Sequence, residues 1–154
     1  MDYRIARAGL DAVEDIVAHR RAIFSEGGEE DAAALDAMCA AFRPWLIQKM
    51  QSGDYVGWLA LAEGRTAAGV GVWLIDWPPG LHAPELPRAD VLNVYTRPEY
   101  RRRGMARALM LTALDWCRVT GATVIIRLNT TPAGRPLYES LGFQPEHAMR
   151  LVLR

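Results

Sequence analysis

A chain of 154 residues, 51% of them apolar, can bury one substantial core and is too apolar to be disordered. Its 18 Lys+Arg match its 18 Asp+Glu, so the basic excess of a general nucleic-acid binder is missing. Met1 to Ile5 lacks the apolar stretch of a signal peptide, and no run of about 18 apolar residues could span a membrane; the expectation is a cytoplasmic protein. Cys39 and Cys117 are too isolated for a metal site or disulfide framework and are expected as reduced core thiols.

In chain order, Tyr3 to Arg7 alternates and predicts a strand, which Ala8-Gly9 ends. From Leu10 to Phe24, Leu10, Val13, Ile16, Val17 and Ile23 recur at helical spacing. After Gly27-Gly28, the acids Glu29-Glu30-Asp31 suit the positive end of a second helix, whose stripe includes Leu35, Cys39, Phe42 and Leu46. Pro44 is expected to kink or split it, and Ser52-Gly53-Asp54 stops it. Tyr55 to Ala62 and Ala67 to Trp77 read as strands joined by a hairpin at Glu63-Gly64-Arg65. The proline-rich stretch from Pro78 to Pro87 either borders a substrate cleft or is a stiff connection.

Val91 to Thr96 predicts a strand, Met105 to Trp116 a strongly helical stretch whose helix Gly121 ends, and Ala122 to Leu128 a buried β-branched strand. Pro132 to Leu141 reads as a short helix capped by Gly142, and Phe143 to Leu151 as a final strand. The order β-α-α-β-β-β-α-β-α-β over residues 1–154 implies one α/β (α+β) domain, a mixed sheet with helices on both sides.

The centre of this order is Arg101-Arg102-Arg103-Gly104-Met105-Ala106, a tight basic loop between a strand and a helix. The first amides of a helix have no intrahelical partner and carry the positive dipole end, so a phosphate is their natural ligand. The loop lacks the Gly-Lys-Ser/Thr ending of a P-loop and the Gly-x-Gly-x-x-Gly of a dinucleotide site.

Arg101-x-x-Gly104-x-Ala106 resembles the Gln/Arg-x-x-Gly-x-Gly/Ala signature of the GNAT N-acetyltransferase superfamily. Leu137-Tyr138-Glu139-Ser140-Leu141-Gly142-Phe143 is similar to the second motif of that family, LYExLGF, at the right separation. The resemblance implies a mostly antiparallel central sheet flanked by helices and direct transfer of acetyl from acetyl-CoA to an amine, with no metal. Amides of Arg102, Arg103, Gly104, Met105, Ala106 and Arg107 would ring the coenzyme pyrophosphate, with Arg101 in the signature. The backbone of Val94, Tyr95 and Thr96 would pair with the pantetheine arm where the sheet splays, and offer an amide to the tetrahedral oxyanion. Homodimers, through the last strands or the second helix, are common in such proteins.

Tyr138 matches the family's general acid, and a phenol can donate to the leaving thiolate; packing on the helix face is the plainer role. Asp90 matches the glutamate base of the histone-acetyltransferase branch, and it also reads as an exposed acid at a strand start. Asn93 either hydrogen-bonds substrate or pairs across the cleft. Thr131 stands where the family often has an asparagine on the cofactor arm. The acids Glu26, Glu29, Glu30 and Asp31 either attract a cationic amine or cap a helix, and Trp73, with Trp58 and Trp77, either lines a pocket or belongs to the core. The expected function is therefore acetyl transfer to a primary amine of a small molecule or peptide; the alternative is a non-catalytic acyl-CoA-binding domain on the same fold.

Overall fold

In the computed structural model, which describes residues 2–153, one sheet runs β1-β2-β3-β4-β5. Strands β1 (Tyr3–Arg7), β2 (Tyr55–Ala62), β3 (Arg65–Ile75) and β4 (Arg88–Thr96) pair antiparallel, and β5 (Ile126–Leu128) adds in parallel to β4. Helices α1 (Val13–Glu26) and α2 (Ala32–Ser52) cover one face. Helix α3 (Met105–Thr120) covers the other, with α4 (Arg135–Ser140) beside it.

The faces follow from side-chain period. Met105, Leu109, Met110, Ala113 and Cys117 make one stripe of α3 and are all buried against Val56, Val70, Val72 and Val91. Ile16, Val17, Phe42 and Leu46 from α1 and α2 pack on Tyr55 and Leu59 from the opposite side. Asp31 caps α2 by accepting from the amides of Ala33 (2.9 Å) and Ala34 (3.2 Å). Cys39 and Cys117 are free and buried.

Four expectations are corrected. Helix α2 is not split at Pro44; Ala40, whose carbonyl loses its intrahelical donor there, is exposed and can be hydrated, while Phe42 and Leu46 hold both halves on the core. Strand β3 ends at Ile75, so Trp77 lies beyond it, half-exposed, under the Arg88 guanidinium at 3.5 Å. The strand from Ala122 shrinks to Ile126–Leu128, because the Thr123 hydroxyl bonds to the carbonyls of Pro87 (2.8 Å) and Ile125 (3.0 Å) and turns the chain aside. Residues 143–153 form no strand: Met149, Leu151 and Leu153 are exposed, Phe143 packs on the α3-side core, and an Arg127–Glu146 ion pair (2.6 Å) ties the segment to β5.

The register of β4 against β3 slips once. Leu92 faces Gly71 and Tyr95 faces Gly69, so β4 carries one extra residue there, a β-bulge. Asn93, at φ +55°, makes the turn in the left-handed region that asparagine tolerates better than most residues. Regular alternation would have put Asn93 on the face opposite Leu92. The bulge keeps both on the α1–α2 side, with the Asn93 Nδ2 donating to the Tyr55 hydroxyl at 3.1 Å. Tyr55 reaches that place only because residue 71 lacks a side chain: a Cβ on Gly71 would lie 2.0 Å from the Tyr55 oxygen and 2.3 Å from Cζ. Gly71→Ala should therefore cost about 1–3 kcal/mol, read as a lower urea midpoint at unchanged slope; unchanged stability would show that Tyr55 is free to move.

Candidate functional site

Two features converge at the C-terminal end of β4. The first is a fork. Strand β5 pairs with Ala89, Asp90 and Val91, so among the described residues β4 runs on through Thr96 with no strand on that edge. The Arg97 amide donates to the Ala67 carbonyl (2.9 Å) on the β3 side, so alternation aims the amides of Val94 and Thr96 at the open edge.

The second is the start of α3. After a single 3-10 turn over Pro98–Tyr100, Arg102 (φ +63°) and Gly104 (φ +78°) turn the chain sharply into the helix. Among the described residues no side chain caps α3, so no cap occupies the amides of its first turn. A Cβ on Gly104 would meet nothing within 4 Å; the glycine answers the backbone angle, and the space before it is open. Arg102, Arg103 and Gly104 are exposed, Met105 anchors the loop in the core, and Ala106 is half-buried. The Arg103 guanidinium lies over the Tyr100 ring at 5.5 Å, and Arg107 donates to the Ser140 hydroxyl at 2.8 Å, fastening α3 to α4.

Arg101 is already engaged. It donates to the Thr96 carbonyl (2.9 Å) and forms a short ion pair with Glu26. Glu26 also accepts from the Tyr95 hydroxyl at 2.6 Å. These bonds, the Tyr95 one first, hold the Glu26 carboxyl below the usual carboxylate range, while burial first and then Glu26 push the Tyr95 phenol up to about 12. The end of α1 is thus fastened to β4 and to the basic loop together.

The remaining predicted positions divide between the two faces. Tyr138 packs on the α3-side core with Val94, edge-on to Phe143 at 6.0 Å, and burial raises its phenol pKa. Thr131 is exposed at the turn into α4, where its hydroxyl accepts from the Gly134 amide at 3.3 Å. Asp90 lies across from Trp73 on the α1–α2 side; its Oδ1 is buried, lacks a hydrogen bond, and is 3.4 Å from the Arg88 Nε. Trp73 packs edge-on against Trp45 at 5.2 Å.

Sequence reading missed what lies beneath the bulge. Arg20 donates to the Asn93 Oδ1 at 3.1 Å, and His19 stacks at 5.1 Å from Tyr95 with a buried, unpartnered Nε2. The available signal was their spacing: three and four residues after Ile16, both continue the apolar stripe of α1. Among the described residues, no group of three or more His, Cys, Asp or Glu is arranged to hold a metal ion, and no helix is long and apolar enough to cross a membrane.

The model of the Acetyltransferase (GNAT) family matches residues 13–143. The chain belongs to that family. A crystal structure of a GCN5-related N-acetyltransferase from Ralstonia eutropha JMP134 is 34% identical, covers 99% of both chains and superposes with a TM-score of 0.90. A predicted acetyltransferase from Clostridium acetobutylicum, crystallised with acetyl-CoA, shares the fold at TM-score 0.86 and 20% identity over 99% of this chain and 96% of its own. A Bacillus subtilis (strain 168) protein, named as a candidate alanine N-acetyltransferase of ribosomal protein bS18, is 24% identical over 110 residues. That match spans 66% of this GNAT chain and 66% of the relative, just under two thirds of its length.

Burial, more than the nearby Arg97 charge, lowers the His19 pKa from 6.5 to about 4. The unfolded chain therefore binds this proton more readily, and the stability His19 contributes is present above pH 6.5 and lost as pH falls toward 4. The loss approaches on the order of 3 kcal/mol. Urea midpoints of wild type and His19→Leu, compared at pH 7 and about pH 4.5, should show a smaller acid loss in the variant; parallel losses would mean that His19 titrates normally.

Proposed function

We propose that this GNAT protein moves an acetyl group from acetyl-CoA to a primary amine of a small molecule or peptide by direct attack. The observation that carries the reading is the meeting of the uncapped α3 start with the open edge of β4. Amides from Arg102 to Arg107 would receive the pyrophosphate, for which the open space before Gly104 leaves room. The outward amides of Val94 and Thr96 would pair with the amide-bearing arm, as an added strand does, and Thr131 would give its exposed hydroxyl to the same arm.

In the transfer, the amine nitrogen forms a bond to the thioester carbon, the nitrogen then sheds its extra proton to solvent, and the carbon–sulfur bond breaks. The acceptor must first be neutral, since an alkyl ammonium has a pKa near about 10.4. Asp90 would take its proton, directly or through water: its buried Oδ1, ion-paired with Arg88, accepts no hydrogen bond and lies on the acceptor side of β4. The Val94 amide, on the open edge beside the bulge, would bind the oxyanion. Tyr138 would protonate the departing sulfur; burial keeps its phenol protonated, and it makes no hydrogen bond to the protein among the described residues. Trp73 and Asn93 lie on the acceptor face, while Glu26 serves it by fixing the end of α1. This protonated phenol favours a catalyst over a non-catalytic acyl-CoA sensor.

Tyr138→Phe should lower turnover by about 10²-fold while acetyl-CoA affinity, measured calorimetrically, stays within about threefold. Absence of acetyl-CoA binding to the wild type would sink the whole reading. Asp90→Asn should lower kcat/KM by about 10²-fold with acetyl-CoA affinity unchanged; an unchanged kcat/KM would pass the base role to solvent.

A further inference from the structure

Among the described residues, six of the 17 arginines of this chain form ion pairs. Arg21 meets Asp36, Arg43 meets Glu14, Arg88 meets Asp90, Arg101 meets Glu26, Arg127 meets Glu146 and Arg135 meets Glu139. Arg20 is half-buried, and among the described residues no carboxylate lies within ion-pair distance of it. Its guanidinium is held between rings, 4.5 Å from the Phe42 centroid and 5.2 Å from that of Phe24. One nitrogen donates to the Asn93 Oδ1, and Nε is buried with no partner. Withdrawing a cation from water without a counter-charge is costly, and burial depresses the Arg20 pKa.

Among the described residues, no neighbouring acid supplies the missing charge. Glu26 is spent on Tyr95 and Arg101, and Asp15 accepts from the Thr66 hydroxyl at 2.6 Å. His19 is neutral at pH 7, and Arg97, close enough to lower the His19 pKa, also has a buried, unpartnered Nε. The place is on the α1–α2 side of the bulge, one side chain from the Val94 amide, and its outer wall, Phe24, is exposed.

We infer that Arg20 anchors an oxyanion, carboxylate or phosphate, carried by the acceptor amine, and so selects acceptors that pair a primary amine with a nearby anion. The planar guanidinium fork matches either oxyanion, and the Phe24 and Phe42 rings set its plane before the acceptor arrives. Asn93 links the anchor to the bulge, so one side chain sets both the acceptor's anion and the strand edge. The inference rests on the acetyl-transfer reading above and concerns its acceptor.

The test uses matched pairs: L-alanine, L-glutamate and L-phenylalanine against their carboxamides, and phosphoethanolamine against ethanolamine. Thiol release from acetyl-CoA gives kcat/KM, and calorimetry of the amines alone gives affinity without any transfer. Wild type should prefer the anionic member of at least one pair by about tenfold or more, and which pair responds separates carboxylate from phosphate. Arg20→Gln should bring that ratio near one, the anionic member falling further than the neutral one, and Arg20→Lys should retain part of the preference; unchanged acetyl-CoA affinity shows that both are folded. No preference in wild type, or an equal fall for both members in Arg20→Gln, overturns the anchor and leaves Arg20 a structural support of Asn93. Anion-dependent binding without thiol release keeps the anchor and discards acetyl transfer. Thiol release without anion preference does the reverse.

Discussion

The bulge at Asn93 is the constraint on which the site depends. One extra residue in β4 places Leu92 and Asn93 on the same face and reverses the parity of everything after them. Without it, Tyr95 would leave the α1 side and lose both Glu26 and the His19 ring. Val94 would point away from the α3-side core it shares with Tyr138. A left-handed asparagine is mildly strained, and it persists when its surroundings over-determine it. Here both ends of the Asn93 amide are bound, Oδ1 by Arg20 and Nδ2 by Tyr55, and the Tyr55 ring fills the space that Gly71 leaves.

A second tie joins the two halves of the site. Glu26, at the last position of α1, holds Tyr95 from β4 and Arg101 from the basic loop. The proposed cofactor loop and the proposed acceptor wall thus share one carboxylate. The pair is substantially exposed, so its worth lies in geometry more than in stability, as surface ion pairs contribute little. It sets where α1 ends relative to the start of α3.

Local chemistry made much of this legible in the sequence. Asp31 announced α2, Gly104 and Gly121 bracketed α3, and the apolar periods assigned the faces. The C-terminal part of the sheet was misread. Val124 and Ile125 are β-branched, yet the Thr123 hydroxyl turns the backbone aside, and both are exposed. The residues from Phe143 to Leu151 have strand composition and no partner edge, and composition alone does not make a ladder. Arg20 and His19 were passed over because helical periodicity marks which residues face inward without saying what they meet there.

By itself, the sequence determined most of the order of elements, the family and the sharp turn into α3, because caps, left-handed glycines and apolar period act over a few residues. The tertiary structure alone decided the reach of β5, and with it the open edge of β4, because strand pairing is a contact between distant segments. It also decided which charges are spent and which remain. Glu26, read as attracting a cationic amine or capping a helix, is bound to Tyr95 and Arg101, while Arg20, which the sequence did not single out, has no counter-charge under the bulge among the described residues. That difference is set by what packs against each helix, 69 residues from Glu26 at Tyr95 and 73 from Arg20 at Asn93.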